Sequence, residues 1–276
     1  MSMLLGGLPR TAFLAICFVV GTFMGSFISV LTWRIPRDEQ WVKGHSACPA
    51  CHHALGVLDL VPVLSYVFLR GRCRYCGARI GVRYPLVELA TGLLFVGVGW
   101  TLGATTATLQ YAVMTVLLLA VGLIDFETGL VPDALVLPGA VIGLLFALLG
   151  GWRSVLSSVA GAAVSAGLFA LVVVVSGWYY RRKFKGMAEA PEGGMGWGDV
   201  TFGGMIGAFL GLRLTLAFLP LAFIIGACAG VGLMVLSKKK AEDAMPFGPS
   251  MALGAYIAAL AGNTLIQWYL TTLFRG

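Results

Sequence analysis

The sequence predicts an all-α polytopic membrane protein with about eight transmembrane helices. Of its 276 residues, 59% are hydrophobic and 11% are charged, whereas a typical soluble domain is about 25% charged. The mean hydropathy is +0.91. This composition excludes a water-soluble enzyme, because too few polar residues are present to cover a soluble surface. The high apolar content also excludes an intrinsically disordered chain.

Eight apolar runs separated by polar segments define the predicted spans. They cover residues 11–33, 86–102, 106–124, 134–150, 155–179, 200–212, 214–236 and 250–273. A helix needs about 20 apolar residues to cross the hydrocarbon core, so the run 200–212 is short for a full crossing. Gly203, Gly207 and Gly211 recur on one face of this run, which predicts the close approach of a neighbouring helix. No internal repeat is evident.

The positive charges predict the orientation in the membrane. If the N-terminus lies outside, 15 of the 19 Lys and Arg residues fall in the inner segments 34–84, 125–133, 180–199 and 237–249. Basic residues concentrate in cytoplasmic loops of membrane proteins. We therefore expect an external N-terminus and a cytoplasmic segment 34–84. This distribution explains the net charge of +7 without a nucleic-acid partner.

A metal site is predicted in the segment 34–84. Two CxxC pairs lie there, 21 residues apart: Cys48-Pro-Ala-Cys51 and Cys73-Arg-Tyr-Cys76. Together they offer four thiolates, the closed tetrahedral set that structural Zn²⁺ prefers. Disulfides are disfavoured in the cytoplasm. The prediction is a small zinc-bound loop module, with a redox role for either pair, or a ligand from His52 or His53, as alternatives.

Two aspartates at span ends are candidate catalytic groups. Asp125 ends the third span, and Asp199 opens the sixth after the glycine-rich run 193–198. A charge at the bilayer centre costs about 2.5–3.5 kcal/mol, so a carboxylate beside a span points to function. By the predicted topology both lie on the inner side. Two carboxylates that share a proton can hydrolyse a peptide bond without a metal. The structural alternative makes Asp199 a helix cap and places Asp125 in a solvated loop.

A third carboxylate, Glu88, lies at the start of the second span, close in sequence to Arg83. An ion pair between these two residues is the simpler expectation, because it would neutralise a buried charge. A contact with a cofactor is the alternative.

Several short motifs occur in order along residues 20–260. They are Gly25-Ser26-Phe27, the double CxxC loop with Asp59 and Pro62-Val-Leu-Ser65 between its pairs, Arg83-Tyr84-Pro85-Leu86-Val87-Glu88, Ile124-Asp125, Val131-Pro132-Asp133, Gly196-Trp197-Gly198-Asp199 and Pro246-Phe247-Gly248-Pro249. In this combination the chain resembles the bacterial type IV prepilin peptidases. These are GxGD intramembrane aspartyl proteases, also called leader peptidases/N-methyltransferases.

The resemblance implies that Asp125 and Asp199 are the catalytic aspartates. It implies an enzyme of the bacterial inner membrane, with a periplasmic N-terminus, that cleaves the leader of type IV prepilins or pseudopilins at the cytoplasmic face. It also implies methylation of the new N-terminus by S-adenosylmethionine, although no residue is assigned to that cofactor. The expected zinc ligands are Cys48, Cys51, Cys73 and Cys76.

The predicted domains are a first transmembrane helix (1–33), a cytoplasmic zinc-binding loop and methyltransferase module (34–84), and a seven-helix protease core (85–276). The rival interpretation is a membrane transporter, or a zinc-clipped membrane scaffold without protease activity. Glycine-rich broken helices and acidic residues within the membrane also occur in transporters.

Overall fold

Eight helices make up most of the computed structural model, which describes residues 3–4, 8–41, 45–183, 195–237 and 246–274. They are α1 (Arg10–Arg34), α2 (Leu64–Phe68), α3 (Arg83–Leu102), α4 (Thr106–Thr128), α5 (Asp133–Leu149), α6 (Trp152–Lys183), α7 (Trp197–Ser237) and α8 (Gly248–Phe274). Two 3₁₀ turns, Ile35–Arg37 and Val57–Leu60, lie in the loop between α1 and α3. Two-residue strands, β1 (Met3–Leu4) and β2 (Leu8–Pro9), pair antiparallel before α1.

The all-α membrane fold is confirmed. Within the described residues, α1, α3, α4, α6, α7 and α8 are long and apolar enough to cross a bilayer, and α5 is a shorter apolar helix. Each predicted span falls on one of these helices. The difference lies in α7, whose 41 residues contain both predicted spans 200–212 and 214–236. The basic residues 43, 185, 238–240 and 275, which the orientation argument used, lie outside the described residues.

α7 reverses its direction at Gly211. This residue has φ 68° and ψ 169°, a conformation that breaks the helix. Phe169 of α6 contacts Gly203 before the break, and its ring centroid lies 6.2 Å from that of Phe218 after it. A straight helix would separate residues 203 and 218 by about 22 Å. The parts before and after Gly211, named α7a and α7b, are therefore antiparallel, and with them the described residues contain eight apolar helical segments besides the short helix α2.

The chain forms two compact units, Met1–Val116 and Leu117–Gly276, with the boundary inside α4. In the first unit, α1 packs along α3. A Cβ atom on Gly25 of α1 would lie 2.6 Å from the Cα atom of Glu88 in α3. The two helix backbones therefore touch at this glycine, as small residues allow in membrane proteins.

In the second unit, α7 packs against α5, α6 and α8. The predicted glycine face of α7a is confirmed, because all three residues face α6. Gly203 contacts Phe169, Gly207 contacts the backbone of Gly161, and a Cβ atom on Gly211 would lie 2.8 Å from Ser157 Oγ. The close packing holds α7a in a fixed position within the unit.

Candidate aspartate pair and cysteine cluster

Asp125 is buried at the end of α4, where 4% of its surface is exposed. Its Oδ2 accepts a hydrogen bond of 2.7 Å from the backbone N–H of Gly248, the first residue of α8. A Cβ atom on Gly248 would lie 2.6 Å from that oxygen. Only glycine therefore allows this approach, and Asp125 does not lie in the solvated loop that the structural alternative placed it in.

Asp199 lies in the first turn of α7a and is 8% exposed. Its Oδ2 accepts a hydrogen bond of 3.1 Å from the backbone N–H of Gly196, which precedes the helix. A carboxylate at the third helical position often satisfies this N–H group. Asp199 is thus a capping residue, as the structural alternative expected, and the cap fixes its orientation. Gly193 and Gly194 of the glycine-rich run lie outside the described residues.

The two aspartates belong to one site in the second unit. A Cβ atom on Gly198 would lie 2.6 Å from Val131 Cβ, so the start of α7a packs on the segment that follows α4. The carboxylates are close enough for Asp125 to act electrostatically on Asp199. Among the described residues, Oδ1 of each has no hydrogen-bond partner. Both carboxylates are therefore buried, and each is held by one glycine N–H through a single oxygen.

The four cysteines of the CxxC pairs form a second cluster. Their sulfur atoms lie within 4.8 Å of one another, and Cys48 Sγ is 3.8 Å from Cys76 Sγ. Four sulfurs around a tetrahedral zinc ion lie about 3.8 Å apart. The cluster therefore fits a tetrahedrally coordinated metal ion.

Each CxxC pair lies in a copy of the same backbone turn, and the two copies are offset by 25 residues. We name residues 46–55 and 71–80 the first and second knuckle. In the first knuckle, backbone N–H groups donate to backbone carbonyls from Cys48 to His53, from His52 to Cys48 and from Leu55 to Ser46. The second knuckle has the same three bonds, from Cys73 to Ala78, from Gly77 to Cys73 and from Ile80 to Gly71. The expectation of no internal repeat was wrong at this local scale. The equal spacing of the two CxxC pairs was the available signal.

The duplicated turn explains the two histidines beside Cys51. His52 has φ 57° at the position where the second knuckle has Gly77 with φ 71°. His52 therefore occupies a left-handed turn position, which non-glycine residues rarely adopt. The ring of His53 stacks on Tyr75, with centroids 3.7 Å apart. Among the described residues, the metal-binding group contains the four cysteines and neither histidine.

Asp59 connects the segment between the knuckles to the second knuckle. Its Oδ1 accepts from Arg74 Nε at 2.7 Å, and its Oδ2 accepts from the Tyr75 hydroxyl at 3.0 Å and from the Gly56 N–H at 3.1 Å. Burial alone would raise the pKa of Asp59, but these donors outweigh it and lower the pKa below its ordinary value. Asp59 therefore stays ionised and holds the second knuckle in place.

Glu88 connects the loop to the membrane helices of the first unit. It is 8% exposed, and its Oε2 accepts a hydrogen bond of 2.7 Å from the Val63 N–H. Arg83, the partner expected from the sequence, donates to the Thr32 hydroxyl at 2.8 Å. The contact with Val63 was not foreseen, because no sequence pattern links a loop N–H to a residue 25 positions away.

Two family models match the chain. Residues 19–102 match the bacterial peptidase A24 N-terminal domain, and residues 111–231 match the type IV leader peptidase family. The first match contains the cysteine cluster, and the second contains both buried aspartates. The chain belongs to the type IV leader peptidase family, so it is an enzyme of a peptidase family with a multi-pass membrane fold.

Curated relatives match over nearly the whole chain. A protein of Aeromonas hydrophila is 37% identical over 96% of both chains. Proteins of Pseudomonas putida and Pseudomonas aeruginosa are 36% and 33% identical, over 92% and 94% of both chains. All three are named prepilin leader peptidase/N-methyltransferase. No solved structure matches the chain.

Proposed function

We propose that the chain is an intramembrane aspartyl endopeptidase that removes the leader of type IV prepilins or pseudopilins. The observation that carries this proposal is the buried pair Asp125 and Asp199, each held by a glycine N–H within a helical membrane fold. The names of the relatives supply the substrate class. A prepilin is itself a membrane-inserted helix, so it reaches the enzyme through the lipid.

The geometry supports the ordinary chemistry of an aspartate pair. One carboxylate is ionised and accepts a proton from the water molecule, which attacks the carbonyl carbon of the scissile peptide bond. The other is protonated and donates its proton to the carbonyl oxygen. When the tetrahedral intermediate collapses, the C–N bond breaks and the leaving amine takes up a proton. The glycine N–H bonds leave Oδ1 of Asp125 and of Asp199 available for these transfers.

We place the cleavage at the cytoplasmic face, with the N-terminus in the periplasm and the cysteine loop in the cytoplasm. The concentration of Lys and Arg in the inner segments supports this orientation. Arginine and tryptophan pairs mark both ends of the first unit. Arg10 lies 4.1 Å from the ring centroid of Trp100 at one end, and Arg37 lies 3.7 Å from that of Trp33 at the other. Such pairs are typical of the membrane interface.

The metal ion of the cysteine cluster is proposed to be Zn²⁺. Four thiolates leave no open coordination position, so the ion would fold the loop 34–84 rather than take part in hydrolysis. The ligands would be Cys48, Cys51, Cys73 and Cys76, whose sulfur separations fit a tetrahedral ion.

A second activity is proposed from the names of the relatives, which include N-methyltransferase. The acceptor would be the amine that cleavage releases, and the methyl donor would be S-adenosylmethionine. We assign this activity to the module 34–84 and the proteolysis to the core 85–276. None of the described residues is assigned to the binding of the methyl donor.

The experiment is cleavage of a purified prepilin by the full-length enzyme in liposomes. Asp125→Asn and Asp199→Asn should each lower the cleavage rate by about 10²–10⁴-fold, the usual contribution of acid–base catalysis. Asp133→Asn is the matched control, because Asp133 is exposed at the start of α5. Full activity in either of the first two variants would refute the pair and favour a transporter or scaffold. An unchanged thermal unfolding transition shows that each variant is folded.

A further inference from the structure

We propose that residues 57–68, between the two knuckles, lie in the membrane–water boundary and insert apolar side chains among the lipid acyl chains. We name this segment the interfacial foot. It contains the 3₁₀ turn Val57–Leu60 and the helix α2, which contact each other. The proposal requires the transmembrane fold and does not depend on the proposed reaction.

The interfacial foot exposes large apolar side chains. The exposed fractions are 85% for Val57, 70% for Leu58, 55% for Leu64, 63% for Val67 and 81% for Phe68. In α2, residues 64, 67 and 68 lie three and four positions apart, so they share one helix face. Soluble surfaces rarely expose a continuous apolar patch, and such patches mark a contact with protein or membrane.

The hydrogen bond between Val63 and Glu88 fixes the depth of the interfacial foot. Glu88 lies five residues after Arg83, the first residue of α3, which is about 7.5 Å along the helix. Its backbone packs on Gly25, nine residues before Arg34 at the end of α1, which is about 13 Å. Because a helical side chain leans towards the start of its helix, Val63 lies beside the first two turns of α3. The loop returns to the membrane at this point.

The conformation of Val63 shows that this position is held firmly. Val63 has φ 61° and ψ −49°, a region that a β-branched residue almost never adopts. Such strain persists only where the surroundings enforce it. Here the strained residue joins the 3₁₀ turn to α2 and donates its N–H to Glu88. The foot is thus anchored to α3 at the residue where the chain turns into its apolar helix.

Lipid is the occupant that the neighbouring surface favours. On α3, Leu86, Leu89 and Leu93 are exposed before and after the level of Glu88. An exposed apolar face on a helix that crosses the membrane meets acyl chains. The exposed Arg70 and Arg72 follow α2 directly. An apolar face followed by exposed arginines is typical of segments that bind the interface, where arginine contacts anionic headgroups.

The test uses the full-length protein in nanodiscs of phosphatidylethanolamine and phosphatidylglycerol, with a phospholipid that carries a diazirine in its acyl chain. After photolysis, mass spectrometry locates the lipid adducts. We expect adducts on residues 57–68 and on 86–93 of α3, and none on residues 74–80 of the second knuckle. Adducts on α3 without adducts on 57–68 would overturn the proposal.

A matched pair of variants tests the face of α2. Phe68→Glu places a charge on the apolar face, and Ala54→Glu places one on the exposed surface of the first knuckle, outside the interfacial foot. Labelling of 57–68 should fall to the level of residues 74–80 in the first variant and stay unchanged in the second. Equal labelling in both would overturn the proposal. So would a photoreactive benzoylphenylalanine at position 68 that crosslinks an added prepilin instead of lipid, because the face would then be a substrate-docking surface.

Discussion

The cysteine cluster and the aspartate pair position their functional groups in different ways. Each CxxC pair lies in a knuckle of ten residues that closes with its own backbone hydrogen bonds. Asp125, in contrast, is held by the N–H of Gly248, which is 123 residues away. The cysteine site is thus assembled from two locally determined pieces. The aspartate site exists only after the helices of the second unit have packed.

The two regions also use glycine differently. At Gly77 of the second knuckle the backbone is left-handed, and a Cβ atom would meet nothing within 4 Å. At Gly248 and Gly198 a Cβ atom would lie 2.6 Å from Asp125 and from Val131. Glycine therefore provides conformational freedom in the knuckle and close approach around the aspartates. Substitutions should separate these two effects.

The largest effect is expected from Cys48→Ser. Loss of one thiolate should weaken metal binding by at least about 100-fold, because residues that only orient metal ligands already contribute 10–100-fold. Prepilin cleavage should stay within a few-fold of wild type if the two sites are independent. Bound metal is measured by elemental analysis, with Cys228→Ser outside the cluster as the control. Loss of cleavage together with bound metal would show that the aspartate site depends on the cysteine cluster.

Gly248→Ala should have the next largest effect. The added methyl group must displace the Asp125 carboxylate, and a displacement of about 1 Å at a reacting group can cost about 10²-fold in rate. Metal content should not change. Gly167→Ala in α6 is the control, because a Cβ atom there meets nothing within 4 Å. Wild-type kinetics for Gly248→Ala would contradict the close contact between α8 and Asp125.

Gly198→Ala should destabilise the second unit by about 1–3 kcal/mol, the usual range for overpacking. Its methyl group would collide with Val131 Cβ. Val131→Gly in the same chain should restore part of the loss, because it removes the colliding atom. Thermal unfolding of the two single variants and the double variant forms a cycle that measures this coupling. Strictly additive effects would argue against the contact.

The smallest effect is expected from Gly77→Ala. The new side chain meets no neighbour, so the change should cost only the strain of a left-handed residue, about 1–2 kcal/mol. Metal affinity should fall roughly tenfold, while cleavage stays unchanged. The control is Gly81→Ala, where the backbone is not left-handed and space is also open. Equal affinities in the two variants would show that strain at position 77 is absent.

The sequence predicted the helices well because hydropathy depends on composition and run length. It placed a span on each membrane helix and put the break between two spans at residue 213, close to the observed break at Gly211. It also predicted that Gly207 approaches a neighbouring helix, because a glycine face is a local pattern. The reversal at Gly211 could not be read from hydropathy, since it depends on the φ angle of one residue.

The cysteine site was predictable in its ligands, because two CxxC pairs are a local signal. That Asp125 and Asp199 act as a pair was implied by the family resemblance and not by spacing. Their assignment as catalytic residues stays a prediction. The contacts with Gly248 and Val63 were not predicted, because each joins a backbone N–H to a carboxylate distant in sequence. No periodicity or motif length encodes such a pairing.

The reversal at Gly211 has a consequence for membrane thickness. Arg213 is exposed next to the turn, which places the turn near one boundary of the bilayer. Asp199 lies twelve residues before Gly211, a helical distance of about 18 Å, whereas the hydrocarbon core measures about 30 Å. This hydrophobic mismatch must be met by local thinning of the bilayer or by water that reaches below the headgroups. Under the proposed function, the length of α7a therefore sets how deep a peptide bond must be drawn into the membrane to reach Asp199.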